Sequence, residues 1–236
     1  MKKYFDRLYG SSIEEFSNKM DKNLKNRKKM FIVTANPETF SYGEKDEEIN
    51  KLLLDKNTTL VPDGIAIVTV AKMHKYKIKE RIAGIDLANR LLEICNNHKY
   101  KLALLGAKEE VIVALKAKIE NDYPNIKIVK TENGYTKDKD KFFDDLVRLK
   151  PDVCLVALGI PAQEKLIYKH LDKFDKGIFI GVGGSFDVMS GMKKRAPIIF
   201  QKLNLEWLYR ITKEPKRLKR FYNSNIKFMF KTIKLK

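Results

Sequence analysis

Apolar residues recur along this chain in two alternating rhythms. Short aliphatic and β-branched runs at Met30–Thr34, Thr59–Val61, Lys101–Leu105, Ile126–Lys130, Val153–Leu158 and Gly177–Val182 have the length and composition of strands. Between them, apolar positions repeat at helical spacing over Pro37–Leu54, Ile85–Asn97, Glu109–Asp122, Asp138–Leu149 and Pro161–Leu171. A further helix is expected to start near Ile65, and Ser11-Ser12-Ile13-Glu14 has the form of a capping box opening an N-terminal one. A run as apolar as Val153-Cys154-Leu155-Val156-Ala157-Leu158 needs cover on both faces, which is the setting of a parallel strand. The alternation therefore predicts an α/β fold, a Rossmann-like parallel sheet flanked by helices, with ligands at the carboxyl ends of the strands.

Composition narrows the class. With 236 residues, 44% hydrophobic, and only 12 Gly and 7 Pro, the chain is neither disordered nor fibrous and is long enough for a sizeable core. Cys95 and Cys154 lie inside apolar segments and read as buried thiols of a reducing compartment. No apolar run reaches the roughly 18 residues of a membrane span, and Met1-Lys2-Lys3-Tyr4 opens no signal-peptide core. The expected location is therefore cytoplasmic.

Charge changes the picture more. Lys and Arg number 48 against 30 Asp and Glu, a net +18 that calls for an anionic partner: nucleic acid, a membrane face or a phosphorylated substrate. Half of the surplus lies in residues 196–236, where eleven basic residues face only Glu206 and Glu214. The same segment carries Trp207, the only tryptophan, among Leu205, Leu208, Tyr209, Phe221, Tyr222 and Phe228. Basic residues interleaved with aromatics describe a membrane-surface helix, interrupted at Pro215; a helical hairpin packed on the core fits the same pattern. Two parts are expected, a core over 1–195 and a basic amphipathic helical appendage over 196–236 that meets the membrane.

Candidate chemistry sits at the strand ends. Glycine turns at Leu105-Gly106-Ala107, Gly159-Ile160-Pro161 and Val182-Gly183-Gly184-Ser185 can bring backbone amides to a phosphate. There is no GxGxxG and no Walker lysine. Asp63, between Pro62 and Gly64, can act as a general base or cap the next helix. Thr34 and Asn36 can orient a hydroxyl or form a turn before Pro37. His74, His98 and His170 are scattered, and Asp138-Lys139-Asp140 lies at a lysine-rich helix start, so no metal is expected.

These residues fall into blocks. Thr34-Ala35-Asn36-Pro37-Glu38, Pro62-Asp63-Gly64, Glu80-Arg81-Ile82-Ala83-Gly84, Leu104-Leu105-Gly106, Asn133-Gly134-Tyr135 and Gly159-Ile160-Pro161-Ala162-Gln163-Glu164-Lys165 resemble the WecG/TagA/CpsF glycosyltransferases in order and content. So do Gly181-Val182-Gly183-Gly184-Ser185-Phe186-Asp187, Lys194-Arg195-Ala196-Pro197, Leu205-Glu206-Trp207-Leu208-Tyr209-Arg210 and Glu214-Pro215-Lys216-Arg217 with Arg220-Tyr222. Two positions depart from the pattern: Ile85 stands where serine is usual, and Gln163 follows Ala162 where lysine is frequent.

The resemblance implies an inverting, metal-independent hexosyltransferase without a cofactor. It would move N-acetylmannosamine from UDP to the C4 hydroxyl of N-acetylglucosamine on undecaprenyl diphosphate, in wall teichoic acid or surface polysaccharide synthesis. N-acetylmannosamine uronic acid as the donor sugar stays open. Asp63 matches the family's base, Thr34 and Asn36 would position the reacting sugars, and Gln163 would contact donor or acceptor. Arg81, Tyr135 and Glu164, with amides at Gly106, Gly159, Gly183 and Gly184, are candidate substrate contacts, and Asp187 would bind ribose or uracil. Arg210, Arg217 and Arg220 would close over the diphosphate or meet lipid headgroups. The expected partners are the UDP-sugar, the lipid acceptor and an anionic inner leaflet, with self-association covering an apolar tail face. A nucleic-acid partner is the rival reading, without a recognisable reader motif behind it.

Overall fold

The computed structural model describes residues 1–232, the side chain of Arg220 excepted. Six strands, β1 (Lys29–Ala35), β2 (Thr58–Pro62), β3 (Lys101–Gly106), β4 (Lys127–Glu132), β5 (Val153–Ala157) and β6 (Gly177–Gly181), form one parallel sheet in the order β2-β1-β6-β5-β3-β4. All carboxyl ends therefore open on the same edge. Helices α1 (Lys2–Phe5) and α2 (Ile13–Lys25) precede β1, and α3 (Pro37–Lys45) and α4 (Glu47–Leu54) lead to β2. The later crossovers use α5 (Ile65–Met73), α6 (Gly84–His98), α7 (Glu109–Asp122), α8 (Lys139–Leu149) and α9 (Ala162–His170). After β6 come α10 (Ser185–Met189), α11 (Ile198–Lys202), α12 (Glu206–Lys213), α13 (Arg217–Phe221), a π-helical turn at Tyr222–Ile226 and α14 (Lys227–Thr232).

The apolar strands bury both faces by simple alternation. Met30, Ile32, Leu102, Leu104, Val153, Leu155, Ile178 and Ile180 point into one core with α2, α6, α7 and α10. Phe31, Val33, Ala103, Leu105, Cys154, Val156 and Phe179 point into the other, against α1, α3, α4, α5, α8, α9 and α14. The lysine-rich strand β4 occupies an edge of the sheet, where partial exposure suits it.

Strands and most helices lie within one or two residues of expectation. The stretch Pro37–Leu54 is two helices, however, because the Asp46 side chain accepts from the Glu48 and Ile49 amides and starts a new helix there. At the N-terminal helix the capping residue is Ser12, whose hydroxyl accepts from the Glu15 amide. Among the described residues no helix is long and apolar enough to cross a membrane.

Among the described residues the C-terminal segment is four short helices and a π-helical turn rather than one basic pair. Pro215 separates α12 from α13 as expected, and Asn204, at φ 58°, separates α11 from α12. Its last described residues return to the core: Phe228, 2% exposed, packs beside Phe5 and Phe40 at 6.3 Å between ring centroids. His74 Nε2 lies 2.8 Å from the Thr232 carbonyl, and Lys231 pairs with Glu44. The inward part of the segment's apolar stripe is thus core. Ile198, Ile199, Leu203, Leu218, Tyr222 and Phe230 remain exposed.

Candidate active site

A cleft of about 690 Å³ opens at the carboxyl ends of β2, β1, β6 and β5 and is roofed by the C-terminal helices, a volume suited to a small-molecule ligand. Register brings its floor together. Ala35 pairs with Pro62, so Asn36 and Asp63 leave adjacent strand ends. The Asp63 and Gly64 amides both donate to the Ala35 carbonyl, which fixes the turn.

Asp63 does not cap α5. Gly64 holds that position without a side-chain bond, and the carboxylate turns instead to Arg81. Arg81 donates from Nε to the Asp63 carbonyl at 2.5 Å, from Nη2 to Asp63 Oδ1 at 3.3 Å, and from Nη1 to Glu206 Oε2 at 2.9 Å. Burial alone would lower the Arg81 pKa, yet the charges of Asp63 and Glu206 hold it above its ordinary value. Glu206, 4% exposed, also accepts from Arg195 Nε at 3.0 Å. Burial opposes its ionisation, but the two guanidiniums outweigh that and keep its pKa below the usual carboxylate range. Arg195 in turn grips both oxygens of Asp86 at 2.5 and 3.0 Å. A file of alternating charges, Asp63, Arg81, Glu206, Arg195, Asp86, therefore joins the cleft floor to its roof.

Asn36 caps α3. Its Oδ1 accepts from the Glu38 and Thr39 amides, which leaves its Nδ2 group for the cleft it lines. The Thr34 hydroxyl donates to the Gly181 carbonyl at 3.3 Å and also lines the cleft. Gln163, 1% exposed, ties two loops together: its Oε1 accepts from the Gly159 amide at 3.1 Å and the Gly183 amide at 3.0 Å. Those two amides are therefore already engaged, a correction to their expected role as free phosphate donors. Gly184 makes no such bond among the described residues. Gln163 Nε2 donates to Glu164 Oε1 at 2.8 Å, and Glu164, buried behind it, has its pKa pushed up to about 7 by desolvation.

Three expected contacts lie off the cleft. Glu164 does not line it, Tyr135 is 75% exposed elsewhere, and Gly106 is a packing glycine. A Cβ on Gly106 would stand 2.3 Å from the Ala157 carbonyl oxygen, at a φ of 128° that side chains avoid. On the roof, Arg210 and Arg217 line the cleft; Arg217 bonds Glu214 at 2.6 Å, and Arg210 has no ion pair among the described residues. The Arg220 side chain lies outside the described residues. Asp187 reaches Lys193 at 3.5 Å. Trp207 stacks on Phe221, centroids 4.3 Å apart and 10° from parallel, on the same wall. Asp138 caps α8, and Asp140 pairs with Lys169 and His170, so both carboxylates of that motif have other work.

The residues that pattern reading passed over are Asp86, Arg195 and Glu206. The only signal in the chain was for Glu206: acids are rare in the basic segment, where Glu206 and Glu214 stand among eleven cations.

Comparison with known proteins places the chain in a family. A family model described as "Glycosyl transferase WecG/TagA/CpsF family" matches residues 5–236. A Bacillus subtilis (strain 168) protein is 42% identical over 189 residues, 80% of this chain and 73% of its own. A Bacillus spizizenii protein is 38% identical over 84% of this chain and 76% of its own, and one from Staphylococcus aureus (strain MW2) 37% over 94% and 84%. All three carry the name N-acetylglucosaminyldiphosphoundecaprenol N-acetyl-beta-D-mannosaminyltransferase. With a family match over nearly the whole chain and relatives at 37–42% identity, the chain belongs to the WecG/TagA/CpsF glycosyltransferases.

Proposed function

We propose that this enzyme transfers N-acetylmannosamine from UDP to the C4 hydroxyl of N-acetylglucosamine on undecaprenyl diphosphate, by a single inverting displacement without a metal. The observation that carries the mechanism is the Asp63 carboxylate, free of any capping duty and turned into the cleft beside Arg81. The names of the relatives support N-acetylmannosamine as the transferred sugar and the undecaprenyl-diphosphate-linked N-acetylglucosamine as acceptor. The acceptor oxygen attacks the anomeric carbon as Asp63 takes its proton; the bond from that carbon to the diphosphate oxygen breaks, and its electron pair leaves with UDP. Thr34 and the Asn36 amide lie where they can orient the sugars. Arg210, Arg217 and Lys193 place positive charge over the departing diphosphate, with Arg220 as a further candidate.

The enzyme works at the inner face of the membrane as a peripheral protein. Exposed Ile198, Ile199, Leu203, Leu218 and Phe230, interleaved with Lys202, Lys219 and Lys231, support that placement.

Replacing Asp63 by Asn tests the reading. Turnover should fall by about 10²–10⁴-fold, the range of general-base catalysis, with UDP affinity kept in calorimetry. A variant that turns over at the parent rate would exclude Asp63. A donor panel including the uronic acid, with a short-lipid acceptor and product linkage read by NMR, fixes the sugar.

A further inference from the structure

Glu206 lies on the roof, in the first turn of α12, yet it is almost fully buried and its two oxygens are divided between two partly buried arginines. One of them, Arg81, is the residue that grips Asp63 by both its carbonyl and its carboxylate. A guanidinium is planar and rigid, so a carboxylate holding Nη1 on one side sets the direction of Nε and Nη2 on the other. The second arginine, Arg195, is itself held by both oxygens of Asp86 at the start of α6, so Glu206 is braced from the sheet side as well.

Resting on the reading of Asp63 as base, we infer that Glu206 is a positioning residue: it locks Arg81 and thereby fixes the Asp63 carboxylate, so that the base is set only when α12 is seated. Three carboxylates alternate with two guanidiniums along this file. Removing the central one leaves two partly buried cations sharing a space with no anion between them, and Arg81 then loses one of the two anchors that orient it. The cleft's cations over the diphosphate are unaffected by this change. A loss of Glu206 should therefore appear in turnover and not in UDP binding.

The test is Glu206→Gln in the full chain, with turnover, UDP affinity by calorimetry and Trp207 emission measured together. Trp207 is the neighbouring residue and the only tryptophan, so its emission reports whether α12 is seated. The expected result is turnover at least tenfold lower at saturating substrates, UDP affinity within twofold, unchanged emission, and partial recovery in Glu206→Asp. Turnover within twofold of the parent overturns the inference. So does a red-shifted emission that accompanies the loss, which would restrict Glu206 to seating the helix, and so does a matching loss of UDP affinity. If the glutamine variant fails to fold, Arg195→Gln leaves the Arg81–Asp63 contact in place; it should show the same split in smaller measure, and parent-like turnover there overturns the inference too. Full turnover in Asp63→Asn removes both the base and this inference. An inactive Asp63→Asn beside a fully active Glu206→Gln removes the inference alone.

Discussion

Glu164 offers the sharpest quantitative prediction. Its carboxyl is buried behind Gln163, one oxygen accepting from Gln163 Nε2 and the other without a hydrogen-bond partner among the described residues, near the charge of Glu38. Desolvation pushes its pKa from 4.5 to about 7. The sign follows from linkage: a raised folded-state pKa favours the proton-bound form, so the folded protein loses stability as pH climbs from the unfolded value to the folded one. A shift of that size is worth about 3 kcal/mol in full, at about 1.4 kcal/mol per pH unit, and most of it, about 2–3 kcal/mol, falls between pH 5 and pH 8. Glu164→Gln keeps the acceptor for Gln163 and the side-chain volume but cannot ionise. Its stability relative to the parent should improve by about 2–3 kcal/mol across that interval, or about 5–10 °C in melting temperature for a chain of this size. The assay is thermal unfolding of both proteins at several pH values. Taking the difference of differences cancels any constant cost of the glutamine and every other titrating group. Parallel melting curves from pH 5 to pH 8 would refute the reasoning and place water or another partner at the free oxygen.

Gly181→Ala should disturb the same unit sterically. The added Cβ would lie 2.5 Å from Gln163 Nε2, so the glutamine must move, releasing the Gly159 and Gly183 amides; the expected cost is about 1–3 kcal/mol in unfolding, with weaker UDP binding in calorimetry. Phe228→Ala should empty the pocket between Phe5 and Phe40, at about 3–5 kcal/mol for a buried phenylalanine, a cost taken up by local release of α14. Limited proteolysis should then cut beyond Pro215 while the sheet survives; cleavage no faster than in the parent would disprove the docking.

How much of this was legible in the chain depends on whether the signal is local. Apolar runs with β-branched residues mark strands because burial on both faces leaves no room for polar positions, so six strands and the parallel sheet were readable from 30 to 181. Asp63, Asn36 and Gln163 were readable as cleft residues because each follows a strand end. Their duties were not. Whether Asp63 caps a helix or faces a cleft depends on Arg81, eighteen positions on, and whether glycine amides are free depends on a Gln163 side chain reaching two loops.

Layer architecture, a strand-end site and the family follow from periodicity and contiguous blocks, so the chain alone carries them. Which polar groups pair is settled by packing. The charge file from Asp63 to Asp86 joins residues 63, 81, 86, 195 and 206, and its geometry exists only once β2, α6 and α12 meet. The same holds for the basic segment. Its charge and aromatics were plain in the chain, but Phe228 becomes core and Phe230 surface because the returning backbone presents one to Phe5 and Phe40 and the other to solvent. Composition sets how much apolar surface must be covered; only packing selects which atoms cover it.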